Sequence, residues 1–164
     1  MPILRWLCYP LAAVVFALDQ WSKIAATEQL FYAEPVVVQP WLNWLLIHNR
    51  GAAFSFLADA GGWQRWFFLL LGLVVGAYLV VGLWRMGRSQ WLLALAYASI
   101  LGGACGNVLD RARLGYVVDF IQVHYHNHYW PAFNLADSAI TLGVLLWFGQ
   151  LWLDHSSATA QEAS

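Results

Sequence analysis

The chain has 164 residues, the length of one domain. It is 61% hydrophobic and 10% charged, with eleven tryptophans, which excludes an ordinary soluble protein, where roughly 25% of residues are charged. A net charge of −1 lacks the basic stripe of a nucleic-acid binder, so the expected surround is membrane lipid, with no nucleic-acid partner.

The N-terminal stretch "MPILRWLCYPLAAVVFAL" places Arg5 ahead of an apolar run, as a secretory leader does. It has no convincing small-x-small cleavage site, and three more apolar segments follow, so it reads as a retained helix. Residues 6–18 are apolar, but a span of about 20 residues must take in Asp19 and Lys23. Residues 28–65 form a long connection with Pro35, Pro40 and "VVVQPWLNWLLI", whose β-branched and aromatic content predicts extended strands. Two uncharged spans follow at 66–84 and 89–109, joined by the tight "RMGRS". Residues 111–133 make a second long connection, containing "YVVDFIQVHYHNHYW". The last apolar run, 138–153, extends back to Asn134, and the tail "HSSATAQEAS" reads as disordered.

The expected fold is an all-α membrane protein forming a single domain over residues 1–164. Its four transmembrane helices lie near 4–26, 64–85, 89–111 and 134–154. Segments 28–62 and 112–133 form a small β-rich platform and flap on one membrane face, where Trp41, Trp44, Tyr129 and Trp130 suit the headgroup region. Four spans put both termini on one side. Cys8 and Cys105 then fall near opposite faces and read as small buried hydrophobes, not a disulfide. Charge counting does not orient the chain. Arg5, Arg85 and Arg88 lie on the side of the termini, against Lys23, Arg50, Arg65, Arg111 and Arg113 on the other.

Polar residues collect at the helix ends on the face of the long connections, and ionisable groups at that depth point to a functional site. Asp19 and Lys23 are spaced to pair along a helix. Asn107 and Asp110 share a helix face, and Asp110 is expected to anchor the helix end by accepting bonds from Lys23, Arg111 or a backbone turn. Asn134 and Asp137 have the spacing of an N-cap and its third helical position, so capping alone could explain Asp137. Asp119, on a strand, shares its face with Val117, Ile121 and Val123, where desolvation raises a carboxyl pKa. Two carboxylates in a partly dry site can share one proton, one activating water and the other protonating a carbonyl oxygen. That chemistry needs no metal, no cofactor and no covalent nucleophile. On the residues alone the pair is any two of Asp110, Asp119 and Asp137.

A rival reading rests on "HYHNHY". On a strand His124, His126 and His128 would share one face and could bind a transition metal, as in a metal-binding or transport membrane protein. There is no H-E-x-x-H motif to support it. The small residues of "GGACG" suit close helix packing.

Taken in order, "DQWSK", "NRGAAFSFL", "GGACGNVLDR", "VVDFI" and "FNLADS" resemble the lipoprotein signal peptidase (signal peptidase II) family of bacterial inner membranes. The resemblance implies an aspartic endopeptidase that removes the signal peptide of a diacylglyceryl-modified prolipoprotein just before the lipidated cysteine. It implies four helices with both termini cytoplasmic and the site near the periplasmic face, and it selects Asp119 and Asp137 as the catalytic pair. Asn49 and Arg111 match positions that contact the substrate or the cyclic peptide antibiotic globomycin. Asp19, Lys23, Asn107, Asp110 and Asn134 match positions that support the site, and Phe54 is expected near the substrate. Nothing in the sequence requires more than a monomer.

Overall fold

The computed structural model describes residues 3–51, 61–87 and 90–162; Phe54 lies outside them. Four long helices occupy most of the chain: α1 (Ile3–Gln29), α2 (Trp63–Arg85), α3 (Trp91–Arg113) and α4 (Leu135–Glu162). Helix α3 is the central one, packed against the other three. Its sequence explains this, because Ala94, Ala96, Ala98, Gly102, Gly103 and Gly106 are buried and let neighbouring backbones approach. At Gly103 an added Cβ would lie 2.5 Å from the Ala136 carbonyl oxygen and 2.9 Å from Ile140. Gly103→Val is therefore expected to push α4 off α3 and to cost about 1–3 kcal/mol, read as a lower unfolding temperature in detergent.

The outer helix faces are apolar and exposed: Leu70, Leu73 and Val74 on α2, Val14 and Leu18 on α1, Leu145 and Phe148 on α4. Such faces are stable against lipid and not against water. Three helices are long and apolar enough to cross a membrane: Trp63–Arg85, Trp91–Arg113 and the Leu135–Ser156 part of α4. Helix α1 has 27 residues, about 40 Å at 1.5 Å per residue. Its apolar run is interrupted by Asp19 and Lys23, both buried.

The long connections join in one antiparallel sheet of order β1-β2-β3-β4, formed by Val36–Gln39, Leu42–Asn49, Val117–Tyr125 and His128–Tyr129. Strand β2 pairs with β3 from Leu42↔Val123 to Asn49↔Val117, with a register shift between Trp44 and Ile47. After β4 the chain returns to β3. Phe133 donates to the Ile121 carbonyl at 2.9 Å and accepts from its N–H at 2.8 Å. The next residue, Asn134, immediately precedes α4. This return brings the buried first half of β3 against the first turn of α4.

Three expectations are corrected. The tail is not irregular, for α4 continues to Glu162, in keeping with the helix-forming Ala, Gln and Glu it contains. Cys8 is buried, but Cys105 lies on an exposed strip of α3, which a bilayer tolerates in an apolar side chain. His126 sits at φ 50° in the turn between β3 and β4, so the three histidines do not alternate along one strand.

Candidate active site

Four carboxylates meet where α1, α3, α4 and β3 converge, and their partners divide them into two kinds. Asp19 and Asp110 each lie 2.9 Å from the Lys23 ammonium, which donates its remaining bond to Asn107 Oδ1, also at 2.9 Å. All three donors of the lysine are thus used. Lys23 is 3% exposed and Asp19 fully buried, so this is a closed ionic cluster. Asp19 also accepts the Ala136 N–H at 2.9 Å, tying α1 to the start of α4. Asp110 accepts the Val118 N–H at 3.2 Å and Gln20 Nε2 at 3.0 Å, tying α3 to β3 and α1.

Asp119 and Asp137 have no ion pair within 4 Å among the described residues and are held by amides. Asn134 is the common anchor. Its Nδ2 donates to Asp119 Oδ1 at 2.7 Å, its Oδ1 accepts the Asp137 N–H at 2.9 Å, and its own N–H reaches Asp137 Oδ2 at 3.3 Å. The last two bonds form a reciprocal capping box. Asp137 is therefore a capping residue, as its spacing predicts, and its Oδ1 also accepts from Asn107 Nδ2 at 2.8 Å. Asn49, diagonal to Asp119 across β2 and β3, donates to Asp119 Oδ2 at 3.0 Å. Burial, and then the neighbouring Asp137 carboxylate, push the Asp119 carboxyl up to about 7, against the opposing pull of the Asn49 and Asn134 donors and of Lys23.

Asp137, Asn107, Asn49 and Arg111 line a cavity of about 620 Å³ that continues along α4 past Thr141 to Leu145. Asp119, 1% exposed, lies behind them. Arg111 donates to the Gly51 carbonyl at 2.7 Å, and its guanidinium carbon lies 5.1 Å from the Phe68 ring centre. Its buried Nε has no hydrogen-bond partner among the described residues. A cation held this way can meet a carbonyl oxygen entering the cavity.

Two contributors were not singled out from the sequence. Gln20 bonds both Asp19 and Asp110, and its only signal was its place inside "DQWSK". Arg65, which in the sequence bears only on orientation, donates to the carbonyls of Arg111 and Ala112 at 2.9 and 2.8 Å, closing the C-terminus of α3. The histidine reading finds no support in the geometry. His124 stacks on Tyr129, His126 lies edge-on to Tyr125 in the turn, and no group of three potential metal ligands occurs among the described residues.

Apolar helices around buried carboxylates, capped by a surface sheet, define the architecture of a membrane enzyme. A solved structure described as a bacterial membrane enzyme, at 2.3 Å resolution, superposes with a TM-score of 0.83 at 29% identity, over 92% of this chain and 90% of that one. The family model for signal peptidase (SPase) II matches residues 11–153. Lipoprotein signal peptidases of Acinetobacter baumannii and Pseudomonas putida are 58% and 52% identical, over 87% of this chain and 80% and 84% of theirs. That of Cellvibrio japonicus is 46% identical over 96% of this chain and 92% of its own. The chain belongs to the signal peptidase II family.

Proposed function

We propose that this protein cleaves prolipoproteins by aspartic chemistry, with Asp119 and Asp137 as the catalytic pair. It is a lipoprotein signal peptidase, a membrane protease that removes the signal peptide from prolipoproteins. The observation carrying the aspartic assignment is the division of the carboxylates. Lys23 pairs with both Asp19 and Asp110, whereas Asp119 and Asp137 are bridged by Asn134, and Asp137 lines the cavity.

In this reading ionised Asp137, in the first turn of α4, takes a proton from water as the water attacks the scissile carbonyl carbon. Asp119 gives its proton to the carbonyl oxygen, and the tetrahedral intermediate collapses with proton return to the leaving amine. Arg111 and Asn49 meet the peptide around the scissile bond, where a globomycin-type inhibitor would also lie. The substrate carries diacylglycerol on the cysteine after the cut, and its chains remain among lipid beside the exposed flank of α4. The remaining placement follows from the same reading: four spans with α1 as the first, both termini cytoplasmic, the sheet as a periplasmic platform, and a monomer in the bacterial inner membrane. Residues 1–164 act as one peptidase domain, with Asp19, Lys23, Asn107, Asp110 and Asn134 holding the pair in place.

With Asp119 as the acid, kcat/KM is expected to fall as pH rises through about 7, because this ratio reports groups of the free enzyme. The deciding experiment incubates purified protein with a diacylglyceryl-modified precursor and with the same precursor unmodified. Cleavage of the modified form alone, unaffected by metal chelation, is the expected result. Loss of activity on chelation would remove the aspartic assignment.

A further inference from the structure

Asn107 stands between the ionic cluster and the catalytic pair, and its amide can point only one way. Its Oδ1 accepts from Lys23 Nζ at 2.9 Å and from Asn134 Nδ2 at 3.3 Å; its Nδ2 donates to Asp137 Oδ1 at 2.8 Å. An ammonium has donors and no acceptor, so it admits only the oxygen end of the amide. The NH₂ end must then face Asp137, and a donor facing a carboxylate favours its ionised form. Were the amide reversed, its oxygen would instead face Asp137 and favour a protonated carboxyl.

We propose that Lys23 is a positioning residue for the cleavage reaction: by holding Asn107 Oδ1 it dictates that Nδ2 faces Asp137, which keeps Asp137 the ionised base and leaves the shared proton on Asp119. The proposal rests on the reading of Asp119 and Asp137 as the catalytic pair. Lys23 does not line the cavity, so it acts through Asn107 and not on the substrate. The other charged groups around Asp137 are Asp19 on α1, Asp110 and Arg111 on α3, and Asp119 on β3. None of them sets the polarity of the Asn107 amide, for the Asn107 side chain bonds only Lys23, Asn134 and Asp137 among the described residues.

The test uses Lys23→Gln combined with Asp110→Asn, which removes one charge of each sign and leaves Asp19 its bonds from Ala136 and Gln20. Asn107 then loses the ammonium that fixes its oxygen end and keeps there only the longer 3.3 Å bond from Asn134 Nδ2, so that reversal becomes accessible. Expected are a low-pH limb of the kcat profile moved to higher pH by about one unit, kcat reduced about tenfold on that limb, and KM unchanged. Asp110→Asn alone, with Lys23 in place, should not move that limb upward. Asn107→Ser should reproduce the displacement, and adding it to the double variant should displace the limb no further, because the two act in series. A folded double variant whose activity falls equally at all pH values overturns the proposal, as do additive effects. If the double variant does not fold, Asn107→Ser decides alone, and an unmoved limb rejects the relay. Asp119→Asn and Asp137→Asn are assayed alongside. If both are inert while the limb stays put, only the relay fails; cleavage by either removes the catalytic pair and the relay together.

Discussion

Asp119→Asn is expected to lower cleavage of a lipidated precursor by at least about 10³-fold, and Asp137→Asn to do the same, since each removes one partner of the proposed acid–base pair. The two variants should differ in stability. In the folded chain the Asp119 carboxyl titrates near 7, against about 4 when unfolded. Between those values the folded state binds more protons than the unfolded one, so stability falls as pH rises through the window. The penalty is complete above about 7 and absent below about 4. Its size is on the order of 4 kcal/mol at most, at about 1.4 kcal/mol per unit. An asparagine escapes it but has one acceptor oxygen for the two donors, Asn49 and Asn134, which returns about 1–3 kcal/mol. Asp119→Asn should therefore be inactive yet at least as stable as the parent at pH 8, with that relative benefit shrinking on acidification, measured by thermal unfolding in detergent. An inactive variant that also unfolds readily at pH 8 would point to structural damage instead.

Lys23→Met should have the largest effect on folding. It removes the counter-charge of two buried carboxylates, Asp19 at 0% and Asp110 at 4% exposure, and the donor that holds Asn107. Breaking a buried ion pair from one side costs about 3–5 kcal/mol, because the remaining charges are left without a partner. Asp19 also ties α1 to the first turn of α4, and Asp110 ties α3 to β3. The loss should thus reach both elements that carry the proposed catalytic pair. The check is the yield of folded protein and its unfolding temperature; an unchanged temperature would mean that solvent or another group already compensates these charges.

The helices and the polar helix ends were legible in the sequence because each depends on local spacing. Apolar runs of bilayer length mark α2, α3 and α4, the i, i+4 step marks Asp19 and Lys23, and the cap spacing marks Asn134 and Asp137. What could not be read from local pattern was convergence. The residues alone leave the pair as any two of Asp110, Asp119 and Asp137. Their separation depends on where Lys23 lands after three helices have packed, and on the return of Phe133 to β3. The sheet was foreseen as extended segments, but its register, with the shift between Trp44 and Ile47, is a tertiary property. His126 was misread because period two was assumed through "HYHNHY", whereas His and Asn both tolerate the left-handed conformation that turns the chain there. The tail was misread from its polarity, though its residues have adequate helix propensity once α4 has nucleated them.

The proposed mechanism turns on a single proton shared by Asp119 and Asp137, which lie 18 positions apart in the chain. Difference infrared spectra of the parent and Asp119→Asn, recorded from pH 5 to 8, observe that proton directly. Expected is a protonated carboxyl band in the parent at pH 6 that fades as pH rises through about 7 and is missing from the variant. A parent spectrum with both carboxyls ionised from pH 5 upward would contradict it.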